Sequence, residues 1–411
     1  MKKTIISVTF IILLIATNFI IRYIHIKNIE DNIELISTKL SEGGLKFKYE
    51  NITYQGVLFW NLSGKIWNPT FNQEKFGLSE KSSLDHIGFT SLLADKKLSI
   101  SLANKIDTII KDSKDEYNYT STFDTVPELN IEFKDYFMLY NNEKSESDKL
   151  TDFFLKYIQS IQYNSTGHKA KQINKDNSED LIYSIDKTNI NLLNLSSANS
   201  NNIEFGLHVS KNKYFKNDKE DDFYNYLSEV GDSNINLNST ISFNFKDGSE
   251  INLNKDIILK DIQPVYKLNI QEFYFSSDLF NFYLKGDAIV NKIQLLSYFD
   301  MDLKIENLTE LVDFYLKFYN KIVVNSPVTK ILALREIKNE ERGAILKTFE
   351  KIAIPSDKTS DKKEYKLKVV NLSDKKIKIN DYLMDSVLEI YNSFLVDDND
   401  KKEVNLDPKI N

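Results

Sequence analysis

The chain has 411 residues, with 60 acidic against 53 basic side chains and a net charge of −7. That balance leaves no basic face, so no nucleic-acid partner is expected. There is no cysteine, which excludes disulfides, thiolate metal sites and a cysteine nucleophile.

The run from Thr4 to Ile21, TIISVTFIILLIATNFII, carries no charge. About eighteen apolar residues lie near the lower limit for a helix that crosses a hydrocarbon core. Lys2 and Lys3 precede the run, and Arg22 and Lys27 follow it. From Asn18 to Ile36 there is no Ala, Gly or Ser, so a signal peptidase has no small residues to recognise. The reading is an uncleaved transmembrane anchor, residues 1–22, with the lipid bilayer as partner through Thr4 to Ile21. Lys2 and Lys3 favour a short cytoplasmic start. The chain is then a single-pass protein of a bacterial inner membrane, with its bulk periplasmic.

Residues 23–44 change period. Ile26, Ile29, Ile33, Ile36 and Leu40 step by three and four along one stripe of a helix. Gly43-Gly44 should close it. The stripe suits docking onto the following sheet; the same spacing also fits a short coiled-coil seam.

Residues 45–395 read as a β-rich domain. Leu45, Phe47 and Tyr49 alternate with Lys46, Lys48 and Glu50. Pairing resumes after Gln55-Gly56 and should stop at Pro69. Alternation returns at Leu98 to Leu102, Tyr117 to Phe123, Leu129 to Phe133 and Ile203 to Val209. Ile235 to Phe245 lead to Asp247-Gly248, a hairpin turn by type. Residues 265–275, 279–290 and 365–370 are further strands. One-sided alternation of this kind predicts antiparallel sheet with one packed face.

Helices are expected between the strands. Leu150, Phe153, Phe154, Tyr157, Ile158 and Ile161 form an amphipathic stripe. Asn307-Leu308-Thr309-Glu310 has the form of a capping box. Ser326-Pro327 opens another helix that runs towards Ala353. Residues 141–149, 165–180, 196–202, 211–222 and 356–364 are polar and read as loops. Residues 396–411 form a charged, disordered tail. The expected fold class is α+β: a transmembrane helix, then a large curved antiparallel β-sheet body with several amphipathic helices packed on it.

Phe47, Tyr49, Tyr54, Gly56, Phe59, Gly64 and Pro69 resemble the N-terminal pattern of the YdgA-like family of bacterial single-anchor periplasmic proteins. Leu284-Lys285-Gly286, the segment from Met301 to Leu316, and that from Tyr365 to Ile379 are similar too. More distantly the chain resembles AsmA-like proteins. The resemblance implies a β-rich periplasmic body with no known catalytic residues. The AsmA-like comparison adds a role in lipid handling or envelope assembly.

The chemistry-bearing residues form no catalytic pattern. His25, His86, His168 and His208 have no metal-ligand neighbours at helical spacing, and no H-E-x-x-H, nucleophile elbow, Walker A loop or dinucleotide fingerprint occurs. No catalytic, cofactor or metal residues are assigned. The aromatic load, 26 Phe and 22 Tyr against 2 Trp, falls largely at strand parity. Phe243, Phe245, Phe273, Phe275, Phe280 and Phe282 either fill a sheet core or line an apolar groove suited to an acyl chain. The function expected is a non-enzymatic module that binds lipid or another envelope component. The alternative is a structural protein that recruits envelope proteins through its sheet edge or its residue 23–44 helix.

Overall fold

A computed structural model describes residues 2–42, 44–56, 61–75, 78–92, 96–111, 115–134, 157–196, 201–215, 235–246, 265–290, 296–320, 336–355, 364–371 and 376–403. The chain forms two compact units, Met1–Asn194 and Leu195–Asn411.

Helix α1 spans Lys2–Glu42 without a break. No Gly or Pro lies within it, so the change of apolar period after Ile21 does not interrupt the backbone. Among the described residues no helix is long and apolar enough to cross a membrane. This corrects the expected transmembrane anchor, and with it the inner-membrane localisation. After Ile21 the same helix carries Arg22, His25, Lys27, Glu30 and Asp31, where a span needs about 20 apolar residues.

The second half of α1 docks. Ile29 and Ile33 pack on a core of Ile66, Ile87 and Phe89 with Phe47, Ile52 and Tyr54 around it. The Tyr54 hydroxyl donates to Glu30 at 3.0 Å, and the Ser37 hydroxyl donates to the Phe47 carbonyl at 3.2 Å.

The sheet of the first unit is a meander of long strands, most of them interrupted once. Its pieces are β1 (Leu45–Lys48), β2 (Asn51–Gln55), β3 (Asn61–Trp67), β4 (Thr70–Lys75), β5 (Leu78–Leu84) and β6 (His86–Leu92). They continue with β7 (Lys97–Leu102), β8 (Lys105–Lys111), β9 (Glu116–Thr122), β10 (Thr125–Phe133), β11 (Ile158–Ile173) and β12 (Glu179–Asn194). On one side of the interruption β2, β3, β6, β7, β10 and β11 pair in that order. On the other side β1, β4, β5, β8, β9 and β11 do so. β11 is the strand that serves both halves, and β12 pairs along it.

The interruptions fall side by side. The amides of Glu50, Asn68, Phe123 and Asp124 donate across them to the carbonyls of Trp67, Asp85, Asn104 and Thr166, at 2.9 to 3.0 Å. A crease thus crosses the unit transverse to its strands. Positive φ at Asn68 (49°) and Gly167 (62°) absorbs the turn there. Pro69 was expected to end the sheet but lies in the crease, where no ladder donor is needed, and pairing resumes at Thr70.

Two sequence expectations fail at β11. The amphipathic helix over residues 150–161 and the loop over 165–180 are replaced from Ile158 to Ile173 by strand. Ile158 and Ile161 satisfy helical spacing, but Ile161, Tyr163 and Ser165 also satisfy a period of two, and pairing on both sides decides. Residues 150–156 lie outside the described residues. The polar stretch becomes strand because Ala170 and Gln172 turn to the buried side while Lys169 is exposed.

The second unit repeats the meander with continuous strands: β13 (Asn201–Tyr214), β14 (Ile235–Lys246), β15 (Val265–Ser276), β16 (Asn281–Val290) and β17 (Leu296–Glu306). Then come α2 (Leu308–Phe318), α3 (Asn339–Ile352), β18 (Ile354–Pro355), β19 (Glu364–Asn371), β20 (Ile377–Ile379), β21 (Tyr382–Leu383) and α4 (Met384–Glu403). Each strand from β13 to β17 pairs with the next, and β17 pairs with β19. β19 also carries β18 and β20. The three helices close over one end of the sheet. Leu308, Val312, Leu316, Ile352 and Val387 bury themselves against Ile305, Tyr365 and Leu367.

The helix starts differ from the sequence reading. Asn307 is left-handed and makes no capping hydrogen bond; its amide donates instead to the Leu279 carbonyl at 2.7 Å. The start at Ser326-Pro327 and the turn at Asp247-Gly248 lie outside the described residues. Helix α4 continues to Glu403, across the first part of the expected tail.

The α+β fold class is corrected as well. The protein is mostly antiparallel β-structure, with four helices among the described residues. The β-rich character holds. The helical share was overstated because apolar residues three or four apart also occur on a strand whose neighbours are partly apolar.

Candidate functional site

Residues directly opposite in an antiparallel sheet share a face, so the pairing sorts each unit into two surfaces. In the first unit one face carries the rows Leu98–Ile131–Ile161–Leu192 and Ile100–Leu129–Tyr163–Ile190. The other face carries Ser99–Asn130–Gln162–Asn191 and Ser101–Glu128–Asn164–Asn189. The polar rows are knitted together. Ser99 donates to Asn130 at 2.6 Å, and the Asn189 amide donates to Asn164.

Coverage of the apolar face is uneven. Beneath Ile29 and Ile33 of α1 the core residues are buried. On β10, β11 and β12, Leu129, Ile131, Ile161, Tyr163, Ile190 and Leu192 are only half-buried. These strands form a floor of aliphatic and aromatic side chains. Sequence reasoning did not select it, because each strand alone has only two or three such positions.

The second unit is sorted the same way. Its apolar rows include Leu207–Ser239–Phe273–Leu284–Leu303–Leu367 and Val209–Leu237–Phe275–Phe282–Ile305–Tyr365. Four of the six phenylalanines singled out in the sequence meet here. Phe273 and Phe282 lie edge to face at 6.2 Å. Phe275 stacks on Phe280 at 5.6 Å, and Phe280 meets Phe314 of α2 at 5.3 Å. Phe280 is only 2% exposed and Phe282 packs against the helix-covered core, so both serve as core. Phe273 and Phe275 are half-buried. The backbones of Phe243 and Phe245 pair with Leu268 and Tyr266; their side chains lie outside the described residues.

The histidines are scattered. His25 on α1 is buried, and burial pushes its pKa down to about 4. His168 stacks on Phe123 at 4.4 Å beside the crease, and burial lowers its pKa also. His86 contacts Asp85 at 2.8 Å. His208 lies opposite Asn238 on the polar face. Among the described residues no group of three or more His, Asp or Glu could hold a metal ion.

A cavity of about 330 Å³ lies at the crease, lined by Asn68, Thr70, Ser83, Asp85, Lys105 and Asp107 among others. Its charges are occupied: Lys105 meets Asp107 at 3.0 Å, and Asp107 accepts from Thr120 at 2.7 Å.

No family model matches the chain, and a search of curated proteins gives no match either.

Proposed function

We propose that this protein is a non-enzymatic module that holds an apolar ligand of the acyl-chain class against the open part of its apolar sheet face. One observation carries the reading. On β10 to β12 the rows through Ile131 and Leu129 are half-buried, whereas the face behind them is polar and hydrogen-bonded. Apolar side chains left part-exposed side by side on one face form a surface that an apolar ligand can cover.

The energetics fit a small lipid. Each methylene removed from water contributes about 0.8 kcal/mol, so about ten methylenes give a gross 8 kcal/mol. That gross figure alone corresponds to about micromolar affinity, and ordering costs weaken it from there. The test is native mass spectrometry of the full chain purified without detergent, with titration of a fluorescent fatty acid. A bound lipid, and weakening by Ile131→Lys but not by Asn130→Lys, is expected. No bound lipid and no saturable titration would refute the proposal.

A second reading has its own support. On α1, Leu14, Ile15, Phe19, Ile20, Tyr23 and Ile24 are 49–68% exposed, which suits recruitment of a protein partner through the helix. A photo-cross-linker at Tyr23 should then capture one partner reproducibly; an empty lane would count against it.

A further inference from the structure

We infer that the polar face of the second unit carries a site for a neutral sugar ring, in the cavity bounded by Tyr274, Asn281, Tyr283, Lys304 and Glu306. The inference is independent of the apolar-face proposal, since it concerns the other unit.

Two adjacent rows build the site. One is Asn238–Tyr274–Tyr283–Lys304–Lys366, and the next is Asn236–Ser276–Asn281–Glu306–Glu364. Tyr274 and Tyr283 are directly opposed across β15 and β16, with ring centroids 6.4 Å apart and planes at 56°. They are half-buried and set aromatic carbon beside the amides and charges of these two rows. The helix-covered core of this unit lies on the other face, so no helix of that core covers the two rings.

Charge narrows the ligand. The Lys304 ammonium lies 2.8 Å from Glu364 and 3.3 Å from Glu306. Lys366 meets Glu364 at 3.5 Å. Two acids and two bases leave the site neutral. An anion would have to displace a carboxylate from Lys304, and a cation would meet Lys304 itself. The hydrogen bond to Glu364 raises the Lys304 pKa, so this ion pair persists at neutral pH. A neutral, polar ligand is left.

Shape narrows it further. The cavity is about 180 Å³, below the range of about 300 Å³ and upward for drug-sized ligands, and it matches one ring. Tyrosine rings inclined at 56° make a bent apolar floor, which suits the C–H face of a pyranose better than a flat base. The Asn281 amide donates to Glu306 at 2.7 Å. Asn281, Lys304 and Glu306 bring donors and acceptors to one rim, as neighbouring hydroxyls require.

The test is saturation-transfer NMR on the full chain with methyl β-D-glucopyranoside, N-acetylglucosamine, adenosine and inorganic phosphate, each at about 10 mM, a concentration that detects millimolar sites. A sugar should receive saturation, with phosphate and adenosine silent. Tyr283→Phe should retain the effect, and Tyr283→Ala should weaken binding by roughly tenfold, the worth of one aromatic contact. Glu306→Gln, which keeps the shape, should weaken it several-fold even where the alanine variant fails to fold. Silence from both sugars, a response from adenosine or phosphate in their place, or sugar binding indifferent to both Tyr283→Ala and Glu306→Gln would overturn the inference.

Discussion

The two units solve one problem differently. Each is a meander with an apolar and a polar face, and each must cover the apolar one. In the second unit α2, α3 and α4 close over one end, so that Phe280, Ile305 and Leu308 fall to 2–3% exposure. In the first unit α1 supplies Ile29 and Ile33 over Ile66, Ile87 and Phe89, while β10 to β12 keep half-buried aliphatic rows. The lesson is that an alternating strand pattern specifies a face without specifying its cover. The cover decides whether that face is a core or a binding surface.

The sharpest way to break this contrast is paired truncation. Phe280→Ala should cost about 3–5 kcal/mol, as expected where a covered ring leaves a cavity. Ile131→Ala, on the half-buried face, should cost less than about 2 kcal/mol, because the site already meets solvent. Urea unfolding of both variants gives the comparison; equal losses would mean that the two faces are equally sealed.

The second unit also depends on one close approach. Gly286 has φ +147°, and a Cβ there would lie 2.1 Å from the Asp300 carbonyl oxygen. Gly286→Ala should therefore cost about 3 kcal/mol or split β16 from β17. Melting temperature reads the first outcome, and loss of amide protection at Asp300 to Asp302 reads the second.

Acid should act first on the cover of the first unit. The buried His25 on α1 has its pKa lowered from 6.5 to about 4. Above about pH 6.5 it is neutral folded or unfolded and brings no penalty. As pH falls from 6.5 towards 4, the unfolded chain takes up a proton that the folded one refuses, and roughly 3 kcal/mol of stability is lost. Thermal melts at pH 7 and pH 5 should show the drop in the wild type, and His25→Leu should flatten it.

The smallest effect belongs to the cover of the second unit. Arg342 holds Asp313 with two hydrogen bonds, the outer one 2.7 Å long, and this lowers the Asp313 pKa. The pair is more than one-third exposed, so it contributes about 0.5–1 kcal/mol. That contribution is present above the unfolded carboxylate pKa and disappears as pH falls through the folded one. Asp313→Asn should match the wild type in acid melts and fall slightly below it at neutral pH.

Much of this architecture was written in the strands themselves. Ile203 to Val209 and Ile235 to Phe245 alternate cleanly, because a strand with one wet face needs polar residues at every second position. The lack of metal or catalytic spacing among the histidines was also a property of the chain. Four of the phenylalanines singled out do gather, but Phe280 is core because α2 covers it, and nothing local to Phe280 announces α2. The apolar run that began α1 misled in the other direction. The helix continues through charged residues and docks at Ile29 and Ile33, because helical backbone propagates wherever no Gly or Pro stops it. Strand period and sheet faces are local, set by side-chain alternation every two residues. The crease, the register that aligns Tyr274 with Tyr283, and the choice between covered and open apolar face depend on partners far along the chain, and only the folded structure decides them.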